Sequence, residues 1–231
     1  MKAEQGKRLP FARGVLIVSA QARADNPLHG PAFMAAMARA AEQGGAGAIR
    51  ANGAADITAI RAATRLPIIG IVKRFDPRFP VYITPDLTAA REAALAGADM
   101  IALDATARPR DGGPLAELLP AVRQETGRPV MADIASLDDA LRAQSLGADC
   151  VATTLSGYTG GAPSPQGPDL ALVSALAARL SIPVIAEGRY DTPELAREAL
   201  ARGAYAVVVG TAITNPREIT RRFAAAMERG A

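Results

Sequence analysis

Short apolar runs alternate with segments of helical period along the whole chain. The apolar runs predict eight strands, at residues 14–21, 48–51, 68–73, 100–104, 130–134, 150–154, 184–187 and 206–210. The remaining segments, rich in Ala, Leu, Glu and Arg, predict helices at about residues 31–43, 54–64, 86–96, 114–126, 136–146, 169–180, 192–202 and 216–229. Strands that alternate with helices imply right-handed crossovers and a parallel sheet.

Two short motifs recur along the chain. A glycine followed by alanine and an apolar run occurs about every fifty residues, at 45–49, 97–101, 147–151 and 203–207. A proline before apolar residues precedes strands three, five and seven, at 66–69, 128–131 and 182–185, where its missing N–H is harmless. A two-strand unit repeated four times favours a closed (β/α)8 TIM barrel. An open doubly wound sheet, the alternative, need not repeat so evenly.

The length and composition agree with one barrel domain. The chain has 231 residues, 49% of them hydrophobic and only 4% aromatic, so the core must be built from Ala, Val, Ile and Leu. We interpret residues 1–231 as a single domain, with residues 1–12 as an N-terminal extension or cap. The Gly- and Pro-rich stretch 160–168 follows strand six and is predicted to be a mobile active-site loop. Residues 74–84 form another long loop, with a short extended piece at 81–83.

Charge and hydropathy argue against nucleic-acid and membrane partners. The net charge is +3, and the basic residues are dispersed without a run longer than a pair or an interleaved aromatic platform. No apolar stretch approaches the ~20 residues needed to cross a bilayer, and the N-terminus lacks an apolar signal core. We therefore expect a cytoplasmic protein. An anionic metabolite needs only one or two well-placed cations.

The sequence lacks the residues that several kinds of cofactor and metal site require. Cys150 is the only cysteine and His29 the only histidine, so neither a Cys- or His-based metal site nor a Ser-His-Asp triad is expected. Carboxylate-bound Mg²⁺ stays open. Neither a dinucleotide-binding glycine fingerprint nor a P-loop is present, so we expect no nicotinamide or nucleotide cofactor, and the prediction is no cofactor and no metal.

Polar residues end each otherwise apolar strand. In a TIM barrel these ends carry the active site. The polar residues at these ends are Ser19, Gln21, Arg50, Asn52, Lys73, Arg74, Asp104, Asp133, Thr153, Thr154, Glu187, Arg189 and Thr211. Glycines beside the last two strand ends, Gly188 and Gly210 with Thr211, suit a phosphate site because backbone N–H groups can approach the phosphate oxygens.

Two of these residues suggest acid–base chemistry. Lys73 follows the apolar run 68–72, where desolvation and a neighbouring Arg50 would lower its pKa. A neutral lysine can act as a base or attack a carbonyl to form a Schiff base; a lysine that merely pairs with Asp or phosphate is the structural alternative. Glu187 follows the apolar run 183–186, and burial there would raise its pKa.

The strand-end motifs resemble those of bacterial N-acetylmannosamine-6-phosphate 2-epimerases. The resemblance runs from about residue 14 to 223 and rests on IRANG (49–53), PIIGIVKR (67–74), VYITP (81–85), IALDAT (101–106), MADI (131–134), TTLSGYT (153–159) and IAEGR (185–189). Two departures are Ala20, where many relatives have Cys, and a glycine-rich loop after Tyr158.

The resemblance implies a TIM barrel without a required cofactor. The implied activity interconverts N-acetylmannosamine 6-phosphate and N-acetylglucosamine 6-phosphate in the breakdown of sialic acid and amino sugars. Lys73 and Glu187 match the family's catalytic lysine and glutamate. The implied substrate-contacting residues are Gln21, Arg50, Asp133 and Arg189, and the implied phosphate-binding residues are Gly188, Gly210 and Thr211.

The chemistry of this reaction leads to a hypothesis for each residue. Lys73 removes the C2 proton, Glu187 assists ring opening and proton exchange, and Arg50 or Gln21 stabilises the developing enediolate charge. Whether one base or two serve the opposite faces stays open. The rivals are a Schiff-base aldolase on the same barrel and a non-catalytic sugar-phosphate sensor. The C-terminal helix could close the barrel or pack against a second subunit, and the frequency of two-fold oligomers makes a homodimer plausible.

Overall fold

The computed structural model describes residues 9–160 and 166–228. The predicted mobile loop therefore lies partly outside the described residues, as do the first eight residues of the N-terminal extension. Within the described ranges, strands and helices alternate as the sequence pattern predicts. The order is β1 (Leu16–Ala20), α1 (Pro31–Gln43), β2 (Ala48–Asn52), α2 (Ala54–Ala63), β3 (Ile68–Ile71), α3 (Leu87–Leu95), β4 (Met100–Asp104), α4 (Leu115–Thr126), β5 (Val130–Asp133), α5 (Leu137–Ser145), β6 (Cys150–Ala152), α6 (Leu170–Arg179), β7 (Val184–Glu187), α7 (Pro193–Ala201), β8 (Ala206–Val209), α8 (Thr211–Thr214) and α9 (Pro216–Glu228).

The sheet is closed. Each strand pairs in parallel with the next, and β8 pairs with β1 through Ile17–Val208 and its neighbours. This closure confirms the TIM-barrel prediction over the open doubly wound sheet. The four-residue helix α8, between β8 and α9, was not predicted.

Alternation along each strand divides the core into two layers. One set of side chains fills the barrel interior, and it consists mainly of Ile17, Ala48, Ile69, Ile71, Met100, Ala102, Met131, Cys150, Ala152, Ile185, Ala206 and Val208. The intervening residues, such as Ile49, Ile101 and Val151, pack outward against the helices. Because both faces of every strand are buried, the strands appear in the sequence as continuous apolar runs.

Local chemistry fixes the starts of several helices. Asp86, Ser136, Asp169 and Thr192 each accept a hydrogen bond from the backbone N–H three residues further on. This is the N-cap arrangement, which satisfies a donor that the helix itself leaves unpaired. The helices therefore begin at fixed points after their strands, and the lengths of the loops at the barrel mouth are fixed with them.

Gly70 allows β3 to lie close to the helices around it. A Cβ at this position would come within 2.5 Å of the Ala98 Cβ and 3.2 Å of the Ile57 Cδ1. A larger residue would push β3 away from its outer layer. Since Lys73 follows this strand, the approach also sets how far Lys73 reaches over the barrel.

The N-terminal end of the barrel is covered. Leu9 and Phe11 are 6% and 5% exposed and pack against the barrel-interior side chains. The Phe11 ring meets the Tyr205 ring edge-on at 6.3 Å, and the Tyr205 hydroxyl donates to the Phe11 carbonyl. The described part of the N-terminal segment thus closes one end of the barrel and leaves the other end open. None of the helices in the described ranges has the length and apolar character that crossing a membrane requires.

Candidate active site

A polar layer lies on top of the apolar barrel interior. Because side chains alternate, the residue two positions after an interior apolar residue also points inward. Arg50 follows Ala48 in this way, Asp133 follows Met131, and Glu187 follows Ile185. The polar strand ends predicted from the sequence are therefore brought together at the open mouth.

Arg50 connects two carboxylates across the barrel. Its Nη1 and Nη2 donate to the two carboxylate oxygens of Asp133 at 2.9 and 2.5 Å. The same Nη1 donates to Glu187 Oε2 at 2.6 Å. Arg50 and Asp133 are 1% and 0% exposed, so a fork-shaped ion pair lies out of contact with water.

The Arg50 guanidinium is held charged by this network. Burial alone would lower the pKa of Arg50, but Asp133 and Glu187 together raise it above its ordinary value. The Thr154 hydroxyl donates to Asp133 Oδ1 at 2.7 Å and satisfies a further position on that carboxylate. Arg50 Nε has no hydrogen-bond partner among the described residues.

Lys73 stands beside this ion pair with a perturbed amine. Burial and the positive charge of Arg50 lower the pKa of Lys73 to about 8. Its backbone N–H donates to Asn52 Oδ1 at 2.9 Å, which ties the end of β3 to the end of β2. The direction and the two causes are those expected from the sequence.

Glu187 is held in place through both its backbone and its side chain. The Thr153 hydroxyl accepts from the Glu187 N–H at 2.9 Å and donates to the Glu187 carbonyl at 2.8 Å. Burial raises the pKa of the Glu187 carboxyl, while Arg50 acts in the opposite direction. This carboxyl therefore takes up a proton more readily than an exposed glutamate does.

A cavity of about 570 Å³ opens at this mouth. Its lining includes Gln21, Lys73, Glu187 and the loops after β7 and β8. Seven of the nine predicted site residues line it, and these are Gln21, Lys73, Glu187, Gly188, Arg189, Gly210 and Thr211. Arg50 and Asp133 are not in its wall: Arg50 binds Glu187, and Asp133 binds Arg50.

The loops after β7 and β8 present backbone donors to the cavity. Gly188 and Arg189 both have positive φ, 107° and 60°, the second an uncommon conformation for a residue with a side chain. In the described part of the chain, the N–H groups of Gly188, Arg189, Thr211 and Ala212 donate to no backbone acceptor. These groups lie where the sequence predicts a phosphate.

The Arg189 side chain holds the loop between β6 and α6. Its Nε donates to the Gly167 carbonyl at 2.6 Å and its Nη1 to the Ser156 carbonyl at 2.8 Å. Its guanidinium also lies 5.0 Å from the centre of the Tyr158 ring. Arg189 therefore fastens both described ends of this loop at the edge of the cavity.

Gln21 presents an unpaired group at the cavity. Its Nε2 donates to Ser19 Oγ at 2.8 Å, and its buried Oε1 has no partner among the described residues. The amide nitrogen has a second N–H, for which no acceptor is found among the described residues. In the described ranges, no three His, Cys, Asp or Glu side chains gather in a way that could hold a metal ion.

Sequence reasoning missed part of the cavity wall. Asp191 and Arg222 form an ion pair of 2.5 Å at its edge, and Tyr158 and Asn215 also line it. Arg222 lies in the final helix and Asn215 immediately before it. The sequence periodicity indicates only that this segment is an amphipathic helix. The proline after Asn215 marked a helix start, but nothing in the pattern directed that start to the cavity.

The fold and the site together define a class of protein: a TIM-barrel enzyme whose mouth brings together a lysine of lowered pKa and a glutamate of raised pKa. Comparison with known proteins narrows the class. Residues 34–229 match a family model described as "Putative N-acetylmannosamine-6-phosphate epimerase", NanE. The chain belongs to the N-acetylmannosamine-6-phosphate epimerase family.

Individual relatives agree over nearly the whole chain. A protein of Caldanaerobacter subterraneus subsp. tengcongensis is 50% identical over 210 residues, 90% of this chain and 89% of that protein. One from Enterobacter sp. (strain 638) is 50% identical over 227 residues, 95% of each chain. Both carry the name "Putative N-acetylmannosamine-6-phosphate 2-epimerase".

A solved structure is similar throughout. The N-acetylmannosamine-6-phosphate 2-epimerase from Clostridium perfringens superposes with a TM-score of 0.90 at 45% identity, covering 97% of this chain and 99% of that one. Thiamine phosphate pyrophosphorylase from Pyrococcus furiosus shares the fold alone, with a TM-score of 0.61 at 20% identity.

Proposed function

We propose that this chain interconverts N-acetylmannosamine 6-phosphate and N-acetylglucosamine 6-phosphate, by removing and returning the proton at C2. The observation that carries the proposal is that Lys73 and Glu187 line one cavity, together with the backbone donors of the loops after β7 and β8. Membership of the epimerase family supports the substrate. The reaction belongs to the breakdown of amino sugars.

The C2 proton becomes acidic only in the ring-opened sugar. There the adjacent C1 carbonyl accepts the electron pair that the broken C–H bond leaves, and an enediolate-like intermediate forms. The enzyme must therefore open the ring, remove the proton, stabilise the negative oxygen and return a proton to the opposite face. Groups that line the cavity serve the first three steps, and the proton is returned to C2 either by Lys73 or by Glu187.

Lys73 is the base that removes the C2 proton. With a pKa of about 8, about a tenth of the lysine is neutral at pH 7, far more than an ordinary lysine provides. Once protonated, the same amine carries the positive charge that the enediolate attracts. Lys73 follows the apolar run of β3, and its burial there keeps its pKa below that of a lysine in bulk water.

Glu187 moves protons at the sugar oxygens. Its raised pKa lets the carboxyl accept the C1 hydroxyl proton and pass a proton to the ring oxygen on opening, and reverse both transfers on closure. Arg50 fixes the orientation of this carboxyl through the 2.6 Å contact and does not itself reach the cavity. The free N–H of Gln21 is the donor we assign to the developing negative oxygen.

The phosphate binds at the opposite side of the cavity from Lys73. Gly188, Gly210 and Thr211 supply backbone N–H groups there, which suit the phosphate site common in TIM barrels. Binding the phosphate fixes the far end of the sugar, so that C2 stays near Lys73 during the reaction.

A Schiff-base aldolase remains the second candidate, because a lysine with a lowered pKa also suits attack on a carbonyl. Borohydride added during turnover separates the two. An aldolase would leave a reduced covalent adduct on Lys73, visible by mass spectrometry, whereas the epimerase route leaves Lys73 unmodified.

The test of the proposal is proton NMR of the purified protein with N-acetylmannosamine 6-phosphate in deuterated buffer. We expect signals of N-acetylglucosamine 6-phosphate to grow while the C2 proton signal is lost. A folded protein that leaves the spectrum unchanged would rule the proposal out. The Lys73→Ala variant, run in parallel, shows whether any exchange is enzymatic.

We also propose that the chain acts as a homodimer, in which α9 packs against a second copy. No residue of α9 is buried, and its Phe223 and Met227 are 70% and 77% exposed. These two large apolar side chains lie one turn apart on the same helix and form an exposed apolar surface that suits contact with a second copy. The cytoplasmic location stays a prediction.

A further inference from the structure

The loop between β3 and α3 forms a hairpin at the barrel mouth. Lys73 and Ile83 are bridged as in an antiparallel pair, and the Arg74 N–H donates to the Tyr82 carbonyl at 2.9 Å. The Ile83 carbonyl accepts from the Asp104 N–H at 3.0 Å, which fixes the returning strand beside β4. The hairpin that carries Lys73 is therefore rigid where it passes over the barrel.

Two aromatic rings stack on this hairpin. The rings of Phe75 and Tyr82 lie 4.9 Å apart with an interplanar angle of 18°. Tyr82 packs against the barrel-interior side chains, while Phe75 is 78% exposed. An exposed phenylalanine held by stacking contributes little to the core, so its free face is available to a ligand.

The stack lies across the barrel from the phosphate loops. In a closed ring of eight strands, β3 is opposite β7 and β4 is opposite β8. A sugar whose 6-phosphate sits at the loops after β7 and β8 therefore extends its C1–C2 end toward β3 and β4. The nitrogen on C2 then lies beside Lys73, and the acyl group on that nitrogen points to the hairpin.

We propose that Phe75 and Tyr82 form the binding surface for the N-acyl group and make the enzyme selective for N-acylated over free-amine sugar phosphates. This inference rests on the proposed function and adds a specificity site to it. The acyl methyl packs on the exposed Phe75 ring, and the Tyr82 hydroxyl donates to the acyl carbonyl. The two rings belong to the hairpin that begins at Lys73, and they do not line the cavity.

The surroundings of Tyr82 fit a hydrogen-bond donor. Burial and the nearby Asp133 carboxylate raise the pKa of Tyr82, so the hydroxyl keeps its proton at neutral pH. Arg108 and Arg23, the cations near this ring, act in the opposite direction. A free-amine substrate has neither the acyl methyl nor the acyl carbonyl and so gains neither contact.

The test measures binding in a background that cannot turn over. In Lys73→Ala protein, we would determine the dissociation constants of N-acetylglucosamine 6-phosphate and glucosamine 6-phosphate by calorimetry. Phe75→Ala and Tyr82→Phe are each expected to weaken the N-acetyl ligand about fivefold and leave the free-amine ligand within about twofold. The control is Phe79→Ala, which removes an aromatic ring from the tip of the same hairpin and should leave the ratio unchanged.

A second measurement locates the acyl group directly. With N-acetylglucosamine 6-phosphate bound, the acetyl methyl should show nuclear Overhauser effects to aromatic protons, and these should diminish in Phe75→Ala. Equal weakening of both ligands, or of neither, would overturn the inference. Absence of epimerase activity in the wild-type chain would instead overturn the proposed function, and the binding ratio would still report on the acyl site.

Discussion

Arg50 Nη1 lies 2.6 Å from Glu187 Oε2, although the two residues stand on β2 and β7 and are 137 positions apart. The contact makes the orientation of the Glu187 carboxyl depend on an arginine that does not line the cavity. Asp133 holds the other side of the same guanidinium, so the three residues act as one unit. Changes at Arg50 should therefore affect both the fold and the chemistry.

Replacing Arg50 with Gln should lower the free energy of unfolding by about 3–5 kcal/mol, because two buried carboxylates lose their shared cation. Urea denaturation followed by circular dichroism at pH 7.5 measures the loss. The matched control is Arg91→Gln, which breaks the Arg91–Glu125 pair, 49% and 43% exposed, and should cost less than about 1 kcal/mol. Equal losses in the two variants would contradict the role assigned to Arg50.

The rate should follow the neutral form of Lys73. Because the pKa of Lys73 is lowered to about 8, log kcat/KM should rise with unit slope below that pH and level off above it. Initial rates measured between pH 6 and 9 give the profile. A rate independent of pH across this range would show that Lys73 is not the base.

Replacing Lys73 with Met should stabilise the protein at pH 7 by roughly 1–3 kcal/mol while abolishing turnover. The folded-state pKa of Lys73, about 8, is below its unfolded value of 10.5, so the protonated lysine destabilises the folded state below pH 8. Between those two values the unfolded chain binds the extra proton, and the wild-type stability rises with pH.

The difference between Lys73→Met and wild type should therefore shrink toward pH 10.5. Thermal unfolding of both proteins at pH 7 and pH 10 measures it. The same difference at both pH values would mean that the gain comes from apolar packing and not from the buried charge.

The exposed residues of α9 give a test of the dimer. Phe223→Glu should convert the proposed dimer to a monomer, because a charge cannot be buried there without a partner. Sedimentation velocity at micromolar concentration measures the mass. Leu95→Glu, which changes a 90% exposed leucine on α3, should leave the mass unchanged. A wild-type chain that sediments as a monomer would end the dimer proposal.

The sequence predicted the barrel well because each strand is buried on both faces. Every predicted strand overlaps an observed one, and the proline and glycine positions mark the strand entries correctly. The prediction for β3 was too long, since Lys73 pairs with Ile83 of the hairpin and not with the barrel. The four-residue helix α8 was missed because it is shorter than any helical period can reveal.

The site was predicted as a set of positions but not as an arrangement. Alternation places Arg50, Lys73 and Glu187 at the mouth, and their positions after apolar runs indicate desolvation. It cannot show that Arg50 reaches Glu187, because that depends on strand stagger around a closed ring. For the same reason, the sequence could not show that the Arg189 side chain turns to the loop carbonyls.

Leu9 and Phe11 close the N-terminal end of the barrel, so solvent reaches Lys73 only through the mouth at the other end. A sugar bound over Lys73 occupies that opening, so a hydrogen taken from C2 can meet solvent only past the substrate itself. The fraction of product that retains its original C2 hydrogen in deuterated buffer therefore measures how completely the bound sugar excludes solvent from Lys73.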